Sequence, residues 1–363
     1  MKNILYICEL PAYHISNELT VFKDDGFNVI VLNVFKTNFK KIENYEENVI
    51  LYNLHNNLKN YPSIKLIEIL YKHSIDYDLI EKIILKHKIN ILYSSWSSMV
   101  ILDTFFIKKR FPNLKWIHRY LMYPASLNKL KINIENFIMK KYTKYIDHII
   151  FHTDEMKDYF VENINNHIEH YTVQFEKFNN SYFLDDKEYF NIQNNKFSLI
   201  FLGSIIPNTE NDILKELESL PIEIDIYINI RDEFKYLIKN KNIKFFDRKK
   251  IGKELTQYIQ NFDGILALYN QKSIDKERIN LVIPNRITLG IPALKRFFIP
   301  NNQLTSSRKL LKSFDLLCEY SDNSTLLDQL ENNRKKSIKS KQTLKKELML
   351  NSFFIEIFNK VMK

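Results

Sequence analysis

The sequence predicts an α/β protein of two domains, each built on a parallel sheet with helices on its faces. Three observations support this fold class. At 363 residues the chain has the length of about two ordinary domains. Apolar runs of strand length alternate with longer helix-period segments, as in βαβ units. The alternation breaks once, in residues 176–196, which are rich in Asn, Asp and Lys, and then resumes.

The first domain is predicted over residues 1–176. Its first six strand candidates are short apolar runs that we expect to pair as one doubly wound sheet. These runs are residues 3–8, 27–33, 48–54, 89–94, 115–118 and 148–152. The helical segments between them are residues 13–25, 63–86, 99–110 and 132–145. A seventh run, 170–175, leads into residues 177–196, which lack a sustained period and are predicted to be an interdomain linker.

The second domain is predicted over residues 197–335, where the same alternation returns. Its strand candidates are residues 197–202, 223–228, 243–246, 264–269, 293–299 and 315–318, and its clearest helical segments are residues 212–219, 253–261 and 303–313. The closing segment 324–363 is predicted to form one or two helices. Leu344, Leu348, Ile355, Phe358 and Met362 give it an apolar stripe. We therefore expect residues 336–363 to pack across both domains.

The composition indicates a globular protein of a reducing compartment. Hydrophobic residues make up 45% of the chain and aromatic residues 13%, enough apolar material for two buried cores. Cys8 and Cys318 lie far apart inside predicted strands, which argues against a disulfide or a zinc site. No stretch has the roughly 18 uncharged apolar residues of a membrane-spanning helix, and the first residues do not resemble a signal peptide. We expect a cytoplasmic protein.

The formal net charge of +10 is compatible with three kinds of partner: nucleic acid, an anionic membrane, or an anionic substrate such as a nucleotide diphosphate. The densest cationic stretch is residues 334–346, with seven Lys or Arg and no acid. This stretch favours a peripheral position at the inner face of the cell membrane. A solvated helix face explains it equally well.

Several function classes lose their main support because their motifs are absent from the sequence. Neither half has a Gly-x-Gly-x-x-Gly after its first strand, and there is no phosphate-binding Gly-Lys-Ser/Thr loop. We find no clustered Cys, His and Asp of metal-ligand spacing and no Gly-x-Ser-x-Gly elbow. The sequence therefore disfavours the hypotheses that the protein is a dehydrogenase, an ATPase, a metalloenzyme or a hydrolase. No metal or cofactor is expected.

Six different segments of the chain carry a resemblance to one family. The first opens the chain with a strand and a proline-containing loop, the second ends a strand at His118, and the last reads VIPNRITLGIPALKRFF. The segments are residues 1–34, 89–120, 145–160, 197–214, 243–269 and 282–298. Together they resemble the glycogen-synthase-like, retaining (group 1) glycosyltransferases that build bacterial surface polysaccharides. The resemblance implies the GT-B fold, in which two Rossmann-like domains face each other across a cleft and C-terminal helices cross back.

The resemblance implies a donor site in the second domain and an acceptor site in the first. Gly203, with Ser204 beside it, would let backbone amides approach the diphosphate of a nucleotide sugar. Arg286, after Pro284 and Asn285, takes the family's cation position, where its planar fork could hold a phosphate. Donor binding is thus assigned to Gly203, Ser204, Arg286, Lys272, Arg278, Lys295 and Asn285.

In the first domain the resemblance places His118 towards the donor sugar. Glu9 and His14 flank the first acceptor-side loop and could serve as a base if the enzyme inverts, whereas the resemblance favours retention without a dedicated base. Aromatic faces suit the apolar sides of sugar rings. Acceptor binding is therefore assigned to Tyr13, His14, Trp96 and Tyr120, and catalysis to His118 and Glu9. The competing explanation for each is ordinary core packing.

Two departures from the family pattern concern the donor site. No acid follows Arg286, where Ile287, Thr288 and Leu289 stand in place of the residue that holds the ribose. No Arg-Lys pair follows Gly203, so Lys272, Arg278, Arg286 or Lys295 would have to clamp the diphosphate.

Three alternatives to a glycosyltransferase stay open. A sugar-nucleotide 2-epimerase shares the paired domains but needs acid and base carboxylates, and the second-half loops contain few. A degenerate, non-catalytic GT-B partner subunit would explain the missing ribose acid. A nucleic-acid-binding protein would explain the charge, but no RNA-recognition, KH or zinc-finger signature is present. The expected partners are thus a nucleotide sugar and a glycan or lipid-linked acceptor.

Overall fold

The structure is a computed structural model. It describes residues 2–8, 13–33, 50–53, 75–95, 98–123, 129–164, 168–178, 180–185, 188–189, 196–207, 212–246, 252–270, 276–335, 341–349 and 353–362. Contacts divide the chain into two units, Met1–Lys177 with Leu350–Lys363 and Phe178–Met349. Each unit carries a parallel sheet with helices, which confirms the predicted α/β class and the two Rossmann-like domains.

The first unit holds a sheet of seven described strands in the order β3-β2-β1-β4-β5-β6-β7, all parallel. The strands are β1 Lys2–Cys8, β2 Phe27–Asn33, β3 Ile50–Asn53, β4 Ile91–Ser95, β5 Lys115–Tyr120, β6 His148–Phe151 and β7 Tyr171–Val173. The chain adds strands β2 and β3 on one side of β1 and strands β4 to β7 on the other side, as in doubly wound sheets. The seventh apolar run is therefore a strand of this sheet, paired with β6, and not only an approach to the linker.

The helices of the first unit lie in the connections between these strands. They are α1 Tyr13–Asp24, α2 Tyr77–His87, α3 Ser98–Arg110, α4 Lys129–Tyr142 and α5 Asp154–Asn163. Thr153 caps α5 by accepting a hydrogen bond from the Met156 N–H at 3.1 Å, as the sequence predicts. Residues 63–74 of the predicted second helix lie outside the described ranges.

The second unit holds a parallel sheet whose described strands follow the order β10-β9-β8-β11-β12-β13. The strands are β8 Phe197–Ile205, β9 Ile224–Ile230, β10 Ile243–Phe245, β11 Gly264–Leu266, β12 Phe297–Pro300 and β13 Leu317–Tyr320. The helices are α6 Leu214–Glu218, α7 Gly252–Ile259, α8 Lys276–Leu281, α9 Asn285–Gly290, α10 Thr305–Ser313, α11 Asn323–Lys335 and α12 Lys341–Leu348. Strand β12 starts later than predicted because a 3₁₀ turn at Ile291–Ala293 and the left-handed Leu294 (φ 49°) precede it.

The last helix, α13 Phe353–Val361, belongs to the first unit. Phe354 packs on Phe22 with ring centroids 4.6 Å apart, and Phe358 packs on Phe27 at the same separation. The predicted C-terminal stripe is therefore divided. Its Leu344 and Leu348 are buried in the second unit, while Phe358 completes the core of the first.

The segment predicted as a linker is packed where the structure describes it. Contacts place residues from Phe178 onward in the second unit, where Phe178 and Leu184 are fully buried. The Tyr189 hydroxyl donates to the Pro292 carbonyl at 3.2 Å. The second unit thus begins earlier than residue 197 and, with α12, extends past residue 335.

Two further features bear on function. Cys8 and Cys318 are buried, and they form no disulfide with each other. Among the described residues there is no helix with the length and apolar character needed to cross a bilayer, and no group of three or more His, Cys, Asp and Glu side chains is placed to hold a metal ion.

Candidate functional site

The carboxyl ends of β8 and β11 lie next to each other in the second sheet, the position where open parallel sheets bind ligands. Strand β8 carries Gly203 and Ser204 near this end. Its pairing with β9 is irregular there, since Phe201 pairs with Ile228 and Ser204 with Asn229. The register therefore shifts across Leu202 and Gly203, an irregularity of the kind found at functional edges of sheets.

Arg286, from the first turn of α9, is held at this edge with only 6% of its surface exposed. Its guanidinium carbon lies 4.1 Å from the ring centroid of Tyr269 and 4.6 Å from that of Phe201. One guanidinium nitrogen donates to the Leu268 carbonyl at 2.8 Å. Two aromatic rings and a carbonyl thus fix a permanent positive charge at the carboxyl edge of the sheet.

Gly203 is needed for the close approach of Arg286. A Cβ built at position 203 would lie 2.9 Å from the guanidinium carbon and 2.7 Å from a ring carbon of Phe201. Real Cβ atoms do not tolerate such distances, so any side chain here would move the guanidinium or the ring. The resemblance implies that Gly203 leaves room for a ligand. In the structure, the group that approaches Gly203 is the side chain of Arg286.

Gln303 holds the Tyr269 backbone, although sequence reasoning did not single out either residue. The Tyr269 N–H donates to Gln303 Oε1 at 2.8 Å, and Gln303 Nε2 donates to the Tyr269 carbonyl at 3.2 Å. This paired bond ties the connection after β12 to the connection after β11. It fixes the ring on which Arg286 stacks.

Arg278 lies on α8, in the connection that follows β11 at the same edge. The Asn280 side chain of this helix accepts from the Thr305 N–H at 3.2 Å, and the Ser306 hydroxyl donates to the Asn280 carbonyl at 2.6 Å. The start of α10 therefore anchors α8. Asn285 is the exposed first residue of α9, and Ser204 is half-buried beside Gly203.

His118 lies near the carboxyl end of β5 in the first sheet and is fully buried. Its Nδ1 is 2.7 Å from the hydroxyl of Ser94, its partner in the sheet register. The Trp116 indole N–H donates to the same hydroxyl at 2.8 Å. Because an indole can only donate, Ser94 accepts from Trp116, and its own proton can go to His118 Nδ1 in the tautomer that leaves Nδ1 unprotonated.

This arrangement leaves the proton of a neutral His118 on Nε2, which is buried and has no hydrogen-bond partner among the described residues. Burial lowers the pKa of His118 to about 3, so the imidazole is neutral at physiological pH. His118 is therefore a neutral imidazole enclosed in the core of the first unit.

Comparison with solved structures gives full-length matches. A glycosyltransferase from Rickettsia africae has a TM-score of 0.63 at 13% identity, with 100% of this chain and 99% of that chain covered. Sucrose-phosphate synthase from Thermosynechococcus elongatus has a TM-score of 0.65 at 10% identity, covering 99% and 100%. A UDP-GlcNAc 2-epimerase from Methanocaldococcus jannaschii has a TM-score of 0.55 at 11% identity, with 99% of this chain and 100% of that chain covered.

The chain has the GT-B fold. At such low identity these likenesses show the fold alone. No family model matches the sequence, and no curated protein matches it either. The donor and acceptor assignments therefore depend on the geometry of this GT-B chain.

Lys295 does not lie at the edge of the sheet that carries Gly203 and Arg286. Its assignment to the diphosphate clamp is therefore corrected. It comes just before β12, at the amino-terminal edge of the parallel sheet, whereas Gly203 lies near the carboxyl end of β8. Burial and then the charge of Lys341 lower the pKa of Lys295 to about 8, and the charge of Asp263, just before β11, opposes this shift. The sequence prediction started this strand too early and so misjudged which edge Lys295 occupies.

Tyr120 is not placed as an acceptor-binding residue. Its side chain is fully buried, its ring stacks on Phe151 at a centroid distance of 5.6 Å, and its hydroxyl donates to the Met139 sulfur at 3.1 Å. Core packing, the competing explanation, accounts for this residue. Tyr123 is equally buried.

A buried polar cluster in the first unit escaped sequence reasoning. Arg119 pairs with Glu18 of α1 at 2.7 Å, and the Tyr93 hydroxyl donates to the same carboxylate at 2.9 Å. The Tyr6 hydroxyl also bonds to Glu18 and lies 2.6 Å from the Ser95 hydroxyl. Burial opposes the charge of Arg119, but the Glu18 carboxylate raises its pKa above the ordinary value. Nothing in the spacing of Glu18 marks it as buried, because a carboxylate in a helix ordinarily faces solvent.

The remaining predicted residues lie beyond what the structure describes. Glu9, Trp96 and Lys272 are outside the described ranges. Tyr13 and His14 are the first two residues of α1, but their side chains are likewise not described.

Proposed function

We propose that this chain is a glycosyltransferase that moves a sugar from a nucleotide-diphosphate donor to a glycan or lipid-linked acceptor in bacterial surface polysaccharide synthesis. The observation that supports this most is the buried guanidinium of Arg286 over Gly203, at the ligand-binding edge of a GT-B second domain. A fixed cation at that edge suits the diphosphate of a nucleotide sugar.

The proposed chemistry places the leaving diphosphate on Arg286. When the bond between the sugar's anomeric carbon and the diphosphate oxygen breaks, negative charge grows on the leaving group and positive charge on the sugar. A guanidinium fixed between Tyr269 and Phe201 needs no reorganisation to stabilise that negative charge. Backbone N–H groups at the register shift around Gly203 would add donors to the same group.

The resemblance assigns His118 to the donor sugar, but no contact with the sugar is proposed for it, because its imidazole is fully buried like the ring of Tyr120. Its Nδ1 lone pair accepts from Ser94 and its pKa is about 3, so the imidazole is a poor general base at neutral pH. A retaining reaction without a dedicated base is proposed from the sequence resemblance, and His118 is not a candidate base. The clamp by Arg286 supports a reaction without a metal ion.

A 2-epimerase is the second candidate, favoured by the full-length likeness to a UDP-GlcNAc 2-epimerase. The two activities differ in what becomes of the donor. A transferase releases a nucleoside diphosphate and needs an acceptor for efficient turnover, whereas an epimerase inverts the sugar at C2 without an acceptor.

The test is incubation of the full chain with a panel of nucleotide sugars, with and without glycan and lipid-linked acceptors. We expect release of nucleoside diphosphate from one donor, stimulated by an acceptor, with the anomeric configuration retained by NMR. A 2-epimer formed without acceptor supports the second candidate instead. Absence of release, epimerisation and nucleotide binding across the panel would exclude both enzymes and leave the non-catalytic subunit.

A further inference from the structure

Gln303 lies in the turn after β12, with 8% of its surface exposed, and its side chain bonds twice to one residue. The Tyr269 N–H donates to Gln303 Oε1 at 2.8 Å, and Gln303 Nε2 donates to the Tyr269 carbonyl at 3.2 Å. This pairing needs an acceptor and a donor on one side chain. Glutamine supplies both, whereas an ionised glutamate lacks the donor and a methionine of similar length lacks both.

The first of these bonds involves the peptide group that also holds Arg286. The Tyr269 N–H and the Leu268 carbonyl belong to one planar peptide unit. That carbonyl accepts from the Arg286 guanidinium at 2.8 Å. Gln303, this peptide and Arg286 therefore form a continuous chain of hydrogen bonds, in which each bond polarises the next. The Gln303 amide thereby fixes the direction of the carbonyl that Arg286 contacts.

The second link between Gln303 and Arg286 runs through the Tyr269 ring. Because Gln303 holds both the N–H and the carbonyl of Tyr269, it restrains the backbone from which the ring projects. The ring centroid lies 4.1 Å from the Arg286 guanidinium carbon, within the range of a cation–π contact. Two contacts of Arg286, one polar and one aromatic, thus depend on the same glutamine amide.

We propose that Gln303 is a positioning residue for Arg286 and thereby sets the affinity of the second unit for a phosphate-bearing ligand. The identity of that ligand rests on the proposed function, in which the diphosphate of a nucleotide sugar binds Arg286. Gln303 acts through Tyr269 and its peptide group, not by contact with the ligand. A guanidinium that is already held in place loses less conformational freedom on binding, which strengthens the complex.

The test begins with calorimetric titration of the full chain with uridine, guanosine, adenosine and deoxythymidine diphosphates, and continues with the one that binds the wild type most tightly. Q303M should weaken the affinity about tenfold, because both bonds to Tyr269 are lost. N302M removes an exposed amide from the same turn and should bind within about twofold of the wild type. In the R286M background, Q303M should change the affinity by less than about twofold, because the residue that it positions is gone.

The pH dependence of Q303E is a readout that a general loss of packing would not move. An ionised carboxylate cannot donate to the Tyr269 carbonyl, whereas the protonated acid has one acceptor and one donor, like glutamine. Burial disfavours the ionised form, so the introduced carboxyl takes up its proton as the pH falls. Relative to the wild type, Q303E should bind about tenfold more weakly at about pH 8 and within about threefold at about pH 5. The R286M/Q303E variant should show no such recovery relative to R286M.

Crystal structures of the ligand-free wild type, Q303M and N302M test the positioning without any nucleotide. The Arg286 guanidinium should leave the Leu268 carbonyl in Q303M and stay on it in the wild type and N302M. The proposal is overturned if Q303M keeps this contact, if N302M weakens binding as much as Q303M, if the losses of Q303M and R286M add, or if Q303E does not recover at low pH. A guanidinium displaced in Q303M, together with a wild type that binds no nucleoside diphosphate, supports the positioning and contradicts the proposed function.

Discussion

Arg286 and Gly203 form a single functional unit at the scale of residues, because one leaves the space that the other fills. We predict that G203A weakens the affinity for a nucleoside diphosphate about tenfold, since the new Cβ displaces the guanidinium. R286M should weaken it about tenfold to a hundredfold. In a double-mutant cycle measured by calorimetry, the G203A/R286M variant should be no weaker than R286M alone. Additive losses would show that Gly203 acts independently of Arg286.

Lys295 provides a matched control for Arg286, because both cations are 6% exposed and belong to the same unit. We predict that K295M leaves the affinity for the nucleoside diphosphate within about twofold, because Lys295 lies at the other edge of the sheet. The same calorimetric titration checks this. A loss as large as that of R286M would return Lys295 to the diphosphate clamp and contradict its placement.

His118 should make the free energy of unfolding depend on pH. Its pKa is about 3 in the folded protein and about 6.5 in the unfolded chain, so between these values the unfolded chain binds more protons. The free energy of unfolding therefore rises with pH through this window and falls as the pH drops below about 6.5. We predict that H118N reduces the slope by about 1.4 kcal/mol per pH unit between pH 4 and 6.

The measurement for this prediction is urea unfolding of the wild type and H118N across that pH range. His148, whose pKa burial lowers to about 4, keeps its own contribution in both proteins, so the difference reports His118. Identical slopes would mean that His118 is not buried as a neutral imidazole.

At the scale of elements, α13 is a structural part of the first unit although it is the last helix of the chain. Phe358 is fully buried against Phe22 and Phe27. We predict that F358A destabilises the first unit by about 3–5 kcal/mol. Amide hydrogen exchange should show lost protection in β1 and β2 and unchanged protection in β8 and β9. The 44% exposed Met362 serves as control, with M362A expected to leave both sheets protected.

The strands were predictable because each is a buried apolar run between helical segments, and the described strands of both sheets overlap the predicted runs, although β12 starts four residues later than predicted. The short helices α8 and α9 were not predicted, because six-residue segments carry too little period to distinguish them from a loop. The linker prediction depended on composition, and it missed that Phe178, Leu184 and Tyr189 pack into the second unit.

The candidate site was predictable only in part. Gly203 and Arg286 stood out from sequence resemblance, and the structure brings them together. Tyr269, Phe201 and Gln303 could not be found, because ring stacking and a paired amide bond depend on tertiary contacts between distant connections. Tyr120 could not be assigned from residue type, since a buried aromatic ring and a sugar-stacking ring are chemically identical in sequence.

At the scale of the whole molecule, the net charge of +10 suits a protein whose proposed donor is anionic. The GT-B architecture supplies two sheets, each with its own ligand-binding edge. The edge of the second sheet carries Arg286, whereas His118 of the first sheet is fully buried. We therefore assign the diphosphate to the second unit.

The most direct measurement is a crystal structure of the full chain with the nucleotide sugar that gives the most nucleoside diphosphate release. We predict that the diphosphate lies within hydrogen-bonding distance of the Arg286 guanidinium and of backbone N–H groups at Gly203 and Ser204. A diphosphate bound at the edge that carries Lys295, or held only by the first unit, would contradict it.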